Sequence, residues 1–543
     1  MDTRATTETG PRRRILHRQG PGERAAGNRG VHRAAVGALT GAAAAAYSVF
    51  ALGLYHAFRT SSYDLVIFDQ AVRSYAHFHP GISVIKGVHN GFGPHFSVLG
   101  DHWSPILAAL APLYWIYSAP VTLLVAQSIL FALAIPPLWV FTRRAFGGEG
   151  RSGRKAAAAA YLVAVAYALS WPVASALAFD FHEVAFAPVL TAVALERLQA
   201  GRLRAALIAL GALLLVKEDM GLLVAGIGAY LAVARPRTIG RQLTVGLGLA
   251  AAGIAATVIA TYVLIPAFGG RSSYYWAYTA LGPHAPQAAW HLVTDPASLK
   301  VLVTPEVKLQ TMLWLLGAFC FLSLRSPLAL AAIPLLLERM LANLFPFWWV
   351  TSYQYNAYLV VILVFAAADG AARLDRQLLG RRHREDAGSG PPAPRSRRLP
   401  GPGSAGLALA AAMCAVAVVL VPHFAFGPAL HPAFYQRNAQ AKAAAAAEAV
   451  VPGGVTVEAA DNLGPQLSAR DTVLLWDGDG DTAPMAAPWV VANVSQPQFT
   501  FTGVREQKQR VGQLERHGYR VVFQSHGYVV LHRAGPAAGT AGS

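Results

Sequence analysis

The sequence predicts a mainly α-helical membrane bundle of about eleven spans, followed by a small α/β domain near the C-terminus. Three observations carry this. Of 543 residues, 54% are hydrophobic and 13% charged, against roughly 25% charged in soluble domains. Runs approaching the roughly 20 apolar residues that cross about 30 Å of hydrocarbon recur along the chain. Beyond about residue 430 the pattern changes to short strand-like runs mixed with amphipathic segments. The first two observations exclude a soluble enzyme.

The spans read as 33–57, 119–142, 156–178, 183–200, 203–217, 219–234, 243–266, 309–325, 327–344, 354–371 and 404–422. Lys and Arg orient them, because basic loops stay cytoplasmic. Arginines crowd residues 12–33, then Arg143, Arg144, Arg151, Arg154 and Lys155 fill the next loop on that side. Arg202 and Arg204 follow, then Arg235, Arg237, Arg241 and Arg325, and finally eight arginines between Arg373 and Arg398. The long loops on the other side, 58–118 and 267–308, hold only Arg59, Arg73, Lys86, Arg271, Lys300 and Lys308. The N-terminus is therefore expected inside and the C-terminal domain outside, as in a multi-pass plasma-membrane protein. Merging 203–217 with 219–234 would put the arginine-rich loop outside, so two short spans are read there. Ser104 to Ser118 is apolar but interrupted by Pro105 and Pro112, and reads as an interfacial helix.

The net charge of +17 is spread over these short loops, so it reads as a topology signal and not as a nucleic-acid footprint. Residues 1–32 form a basic cytoplasmic tail with no apolar core of their own, and no cleaved signal peptide is expected. The membrane domain runs over 33–426, interrupted by a Pro/Gly/Ser/Arg-rich flexible cytoplasmic linker at 385–404. The extracytoplasmic α/β domain covers 430–535, with 536–543 a disordered tail. Within it Val455–Glu458, Thr472–Trp476, Pro488–Asn493 and Tyr519–Gln524 read as strands, and 439–451 and 503–517 as helices. The two cysteines, Cys320 and Cys414, lie in separate apolar stretches and read as buried thiols.

With this topology the polar motifs fall on the outer side. Asp64, Asp69, Asp101 and His102 lie in the first outer loop. Asp180, His182 and Glu183 join the third and fourth spans, and Lys217, Glu218 and Asp219 tip the short hairpin. Glu338 and Arg339 lie near the outer end of the ninth span. Each has a structural explanation alone: a helix cap for Asp180, a snorkelling Lys217, an ion pair for Glu338 and Arg339. Together they suggest one polar site, because ionisable groups at a membrane boundary are costly unless they face water, a partner or a substrate. His77, His79, His89, His95 and His102 match no zinc spacing, so no metal site is expected. Asp477-Gly-Asp-Gly-Asp lacks the later ligands of a calcium loop and reads as a solvated turn. No phosphate-binding loop or nucleophile elbow supports ATP-driven transport or serine hydrolysis.

Tyr63-Asp-Leu-Val-Ile-Phe-Asp-Gln-Ala, Gly100-Asp-His-Trp-Ser-Pro-Ile-Leu, Phe179-Asp-Phe-His-Glu, Lys217-Glu-Asp and Asn462-Leu-Gly-Pro-Gln-Leu-Ser-Ala-Arg resemble the bacterial predicted-membrane-protein family called domain of unknown function 2079. That family is grouped with the GT-C superfamily of multi-pass glycosyltransferases. The resemblance implies a GT-C-like fold that moves a sugar from a polyprenyl-phosphate donor to an extracytoplasmic acceptor. A carboxylate in the first outer loop is the hallmark of the superfamily. Asp69 is the first choice for the catalytic base and Asp64 the second. Lys217, His182 and Arg339 are the candidates for the donor phosphate. Asp101, His102, Glu218 and Glu338 belong to the same substrate-binding group, and Asp180, Glu183 and Asp219 would orient it or hold a divalent cation. The alternative reading is a transporter, or a non-catalytic scaffold on the same fold; no inverted repeat or mid-span charge favours transport. Membrane lipids are the other partners implied; sugar, acceptor and oligomeric state stay open.

The loop charges make a direct prediction. A topology reporter fused after Tyr435 should be active outside the cytoplasm and one fused near Gly390 inside. Equal activity of both on one side would overturn the span count.

Overall fold

The computed structural model describes residues 21–147, 153–234, 241–388, 403–478 and 487–533. Most of the 385–404 linker, residues 1–20, the 536–543 tail and most of the Asp477–Asp481 turn lie outside them. Six helices among the described residues are long and apolar enough to cross a membrane: Gly30–His56, Pro120–Phe146, Gly153–Ala178, Gln242–Ala267, Gln354–Leu379 and Ser404–His423. They coincide with six of the eleven expected spans. The other five expected spans are also helical but shorter or broken, as in Phe186–Gln199, Leu203–Leu213, Met220–Ala234, Val307–Gly317 and Ile333–Leu341. At 1.5 Å per residue an 11-residue helix covers only about 17 Å, so helix length alone does not carry a count of eleven.

Burial sorts the long helices. The Gln354–Leu379 helix is central, with 83% of its apolar window buried, whereas Gln242–Ala267 buries only 17% of its own. An outer helix that presents Leu247, Ile254, Val258 and Val263 outward is stable only if lipid covers that face. Between Ser104 and Ser118 the prolines leave two short pieces, a 3₁₀ turn at Pro105–Leu110 and a helix at Ala111–Tyr114. Trp115, Ile116 and Tyr117 follow and are exposed, the pattern of a segment lying at an interface.

The C-terminal part is a five-stranded mixed sheet: β1 (Thr456–Ala459), β2 (Thr472–Leu475), β3 (Trp489–Asn493), β4 (Arg520–Ser525) and β5 (Tyr528–His532), in the order β2-β1-β3-β5-β4. β1 pairs in parallel with β2 and β3, and β5 antiparallel with β3 and β4. The helix Ala439–Val450 is capped by Asn438, whose side chain accepts from the Ala441 amide at 2.8 Å. β5 is absent from the sequence-based reading. His526 and Gly527, both at positive φ, form the two-residue hairpin turn that starts it.

This domain packs on the first loop of the membrane part. Ser62–Val66 forms a π-helical turn that continues into the helix Ile67–Ala76. The segment Asn462–Arg470, singled out by its sequence, is the latch. Gln466 Nε2 donates to the Tyr55 carbonyl at 2.7 Å, Arg73 donates to the carbonyls of Ser468 and Ala469, and Gln70 Nε2 donates to that of Val473. Gly464 is needed for the approach, since a Cβ there would lie 2.1 Å from Ser62 Oγ.

Gly464→Ala should therefore push the two parts apart and cost about 1–3 kcal/mol, as overpacking does. Thermal unfolding of the purified protein in detergent should show the loss, with Ser62→Gly restoring part of it. An unchanged midpoint in Gly464→Ala would mean that the contact is slack.

Candidate functional site

Two carboxylates pin the turn that opens the first loop. Asp180 Oδ2 accepts from the Ser61 amide at 2.7 Å. Asp461, from the C-terminal domain, accepts from Ser61 Oγ at 2.9 and 3.0 Å and from the Tyr63 amide at 3.1 Å. Burial pushes Asp461 up to about 6, against those hydrogen bonds, and pushes Asp180 well above the carboxylate range. Asp180 itself adopts φ +51°, a left-handed conformation that Asp tolerates better than most side chains. Gln127 fixes it, with Nε2 donating to the Asp180 carbonyl at 2.5 Å and Oε1 accepting from the His182 amide at 3.1 Å.

The two first-loop aspartates then diverge. Asp69 is fully buried: Tyr114 donates to Oδ1 at 2.7 Å, and Arg73 (2.7 Å) and the Ser468 hydroxyl donate to Oδ2. Burial raises its pKa in spite of these partners. Both of its oxygens are engaged by the protein's own donors, and Asp64, the second choice from sequence, is the more accessible of the two. Asp64 keeps 25% of its side chain exposed, and its Oδ1 lies 3.4 Å from His182 Nε2. The His182 ring stacks on Phe179 and meets Phe68 edge-on.

Around this pair the later motifs assemble. Glu183 forms an ion pair with Lys217 at 3.2 Å. Tyr355 feels the charges of Lys217, Asp64, Glu183 and Arg339, so these four segments contribute to one electrostatic neighbourhood. Glu338 lies near Asp219, Glu218, Lys217 and Arg339. Arg339 is buried, donating from Nε to the Trp348 carbonyl at 2.7 Å and from Nη1 to Asn356 at 3.0 Å. Buried polar atoms without a partner gather here: Asp180 Oδ1, His182 Nδ1, Glu183 Oε2, Asp219 Oδ1 and Arg339 Nη2. Buried polar groups are nearly always satisfied, so such a cluster is the mark of a place that receives polar ligand atoms or water.

A second group lies alongside. Glu218 accepts from the His102 ring at 2.7 Å and from the Trp103 amide at 3.1 Å. Burial works against the charge on His102, but the Glu218 carboxylate raises its pKa overall. His102 stacks on Tyr275 at 4.6 Å, and Tyr275 donates to Asp101 at 2.7 Å. Asp101 pairs with Lys86 at 3.0 Å. Burial opposes both charges, yet the pair holds Lys86 above and Asp101 below its usual range. Gly100 permits the second outer loop to close over this group, since a Cβ there would lie 2.5 Å from the Phe268 carbonyl oxygen. No three of the described His, Cys, Asp and Glu side chains converge as a metal-binding group.

Residues 54–530 match the family model described as predicted membrane protein, DUF2079. The chain belongs to this family. No curated protein matches its sequence. Among solved structures, ArnT from Cupriavidus metallidurans bound to undecaprenyl phosphate is similar at 14% identity, over 92% of this chain and 99% of that one, with a TM-score of 0.47. The apo state of the same ArnT gives 14% identity, 93% and 100% coverage, and a TM-score of 0.46. A likeness of this size assigns neither substrate nor residue roles.

Gln127, Tyr275 and Asp461 also bond within this candidate site and were not singled out from sequence. A lone Gln inside the apolar Pro120–Ala132 helix was the available signal for the first. The tyrosine, and an aspartate in a soluble segment, carried none. Lys217→Met should leave Glu183 as an uncompensated buried charge, at a cost of about 3–5 kcal/mol. Thermal unfolding should register that loss, and adding Glu183→Gln should recover most of it. Independent, additive effects of the two substitutions would show that the pair is not coupled.

Proposed function

We propose that this protein is a GT-C-type membrane glycosyltransferase that moves a sugar from a polyprenyl-phosphate donor to an acceptor on the extracytoplasmic side, with Asp64 as the base. The observation that carries the reading is the pair of contacts made by neighbouring residues, His182 with the part-exposed Asp64 at 3.4 Å and Glu183 with Lys217 at 3.2 Å, at the end of a membrane helix bundle. One accessible carboxylate beside buried cations is what transfer from a lipid phosphate requires.

The acceptor oxygen bonds to the anomeric carbon of the sugar as the bond from that carbon to the phosphate oxygen breaks. The acceptor proton passes to the Asp64 carboxylate, and the electron pair leaves on the polyprenyl phosphate. Attack opposite the leaving group inverts the anomeric centre. A base positioned in this way contributes roughly 10²- to 10⁴-fold. Lys217 and the buried Arg339 Nη2 are the donors for the charge that develops on the phosphate. His182 orients Asp64, and Asp180 holds the turn on which Asp64 sits. A mainly apolar cavity of about 450 Å³, walled by residues 324–332 and by the helices Val307–Gly317, Ile333–Leu341 and Ala357–Gly388, supports a place for the polyprenyl chain. Leu336 lines it, and Arg339 lies three residues further along the same helix, so chain and phosphate would be adjacent. Asp69 has a structural task in this reading.

A deletion strain should lose one glycoform and accumulate its polyprenyl-linked donor, measured by lipid and glycan mass spectrometry. Wild-type protein should restore the glycoform. Asp64→Asn should insert and fold normally but restore less than about a hundredth of the transfer. Full restoration by Asp64→Asn would sink the assignment of the base, and an unchanged lipid and glycan profile in the deletion strain would sink the transferase reading.

A further inference from the structure

One surface beside the site is built from exposed aromatic rings and polar side chains that the chemistry above does not use. Tyr63, the residue before Asp64, packs against Phe499 at 4.9 Å between ring centres and against His89 at 5.4 Å. Asn90 Nδ2 donates to the Tyr274 hydroxyl at 2.8 Å and Asn90 Oδ1 accepts from Tyr63 at 3.3 Å. His89 bonds to Asp477 Oδ2 at 3.1 Å. Lys86 Nζ sits over the Tyr63 and Tyr274 rings at 5.2 and 5.5 Å. The first outer loop, the second outer loop and the C-terminal domain each contribute to this patch. Phe499 is 49% exposed and Tyr274 38%, although rings of this size gain most when covered.

We propose that this patch is the acceptor subsite and that it binds a saccharide, with Phe499 and Tyr274 as stacking faces and Asn90, His89 and Asp477 as hydroxyl partners. The inference rests on the glycosyltransferase reading and adds the acceptor's chemical class to it. The axial C–H face of a pyranose is weakly positive and apolar, and an aromatic face is weakly negative. The rim of such a sugar offers hydroxyls that both donate and accept. An amide, an imidazole and a carboxylate match that rim, since between them they supply donors and acceptors. A peptide or lipid acceptor would call for an apolar groove or an open sheet edge, and the patch is neither. Its position also fits. A sugar stacked here lies next to Tyr63, one residue from the carboxylate that takes its proton.

Binding of maltotriose, mannotriose and chitotriose to the full chain in lipid nanodiscs tests this by saturation-transfer NMR, separately from turnover. At least one trisaccharide should receive saturation at its ring C–H protons. Phe499→Ala should weaken that binding about tenfold, the order of one lost aromatic contact, and Phe499→Trp should restore it. Asp64→Asn should bind as wild type does. Rescue by Trp separates a stacking face from a residue that only fastens the domain. Absence of binding by all three sugars, or equal binding by wild type and Phe499→Ala, would overturn the proposal. Loss of transfer in Asp64→Asn without any trisaccharide binding would reject this subsite and leave the transferase reading standing. Sugar binding beside an unchanged lipid and glycan profile in the deletion strain would do the reverse.

Discussion

A carboxylate with no route to water holds the site together. Asp69 takes hydrogen bonds from Tyr114 in the interfacial segment, Arg73 on its own helix and Ser468 in the C-terminal domain. Three separate parts of the chain are thereby fixed to one side chain. Removing one member of such a buried set is expected to be strongly unfavourable, because the charge that remains has no solvent to fall back on. The arrangement engages Asp69 on both oxygens and fixes its neighbours. Everything proposed for Asp64 depends on that, since its turn is held from behind by Asp461 and from the bundle side by Asp180.

The same interface explains the most specific of the sequence motifs. Asn462–Arg470 has the composition of an active-site loop, with Asn, Gln, Ser and Arg around a Gly-Pro pair. In the structure these side chains reach Tyr55, Asp69, Tyr528 and backbone carbonyls, including Arg470 to Val451. Polar residues at a buried junction between two folded parts need partners, and here Gln466 and Ser468 find theirs across the junction, whereas Asn462 also bonds Tyr528 and Arg470 bonds Val451 within the C-terminal part. The chemistry-bearing groups lie on the other face of the turn.

How much was legible follows from which physics governs each feature. Apolar runs of 20 or more residues dictate long helices whatever else the chain does, and those runs were read within a few residues. Spans such as 309–325 were harder. The helix stops at Gly317, and Cys320 and Phe321, both at positive φ, turn the chain after it. The polar motifs were visible because charge in an apolar context is expensive, and Lys217, Glu183 and His182 do meet. Gln127 and Tyr275 were not, because an amide or a phenol at a membrane boundary is common and carries no warning. Tertiary hydrogen bonds chose among such residues, and only the folded chain displays them.

The spacing of the two aspartates accounts for their different fates. Each residue of an α-helix turns about 100°, so five residues turn about 500°, which leaves the two side chains about 140° apart. No single surface can use both. Asp69 shares its face with Arg73, four residues on, and that face lies against the C-terminal domain. Asp64 is therefore turned toward the bundle, where His182 meets it. The π-helical turn at Ser62–Val66 shifts the angle without cancelling it. A first loop that must both dock a domain and present a base needs two carboxylates at an offset of this kind. One placed at i and i+4 would aim both at the same neighbour.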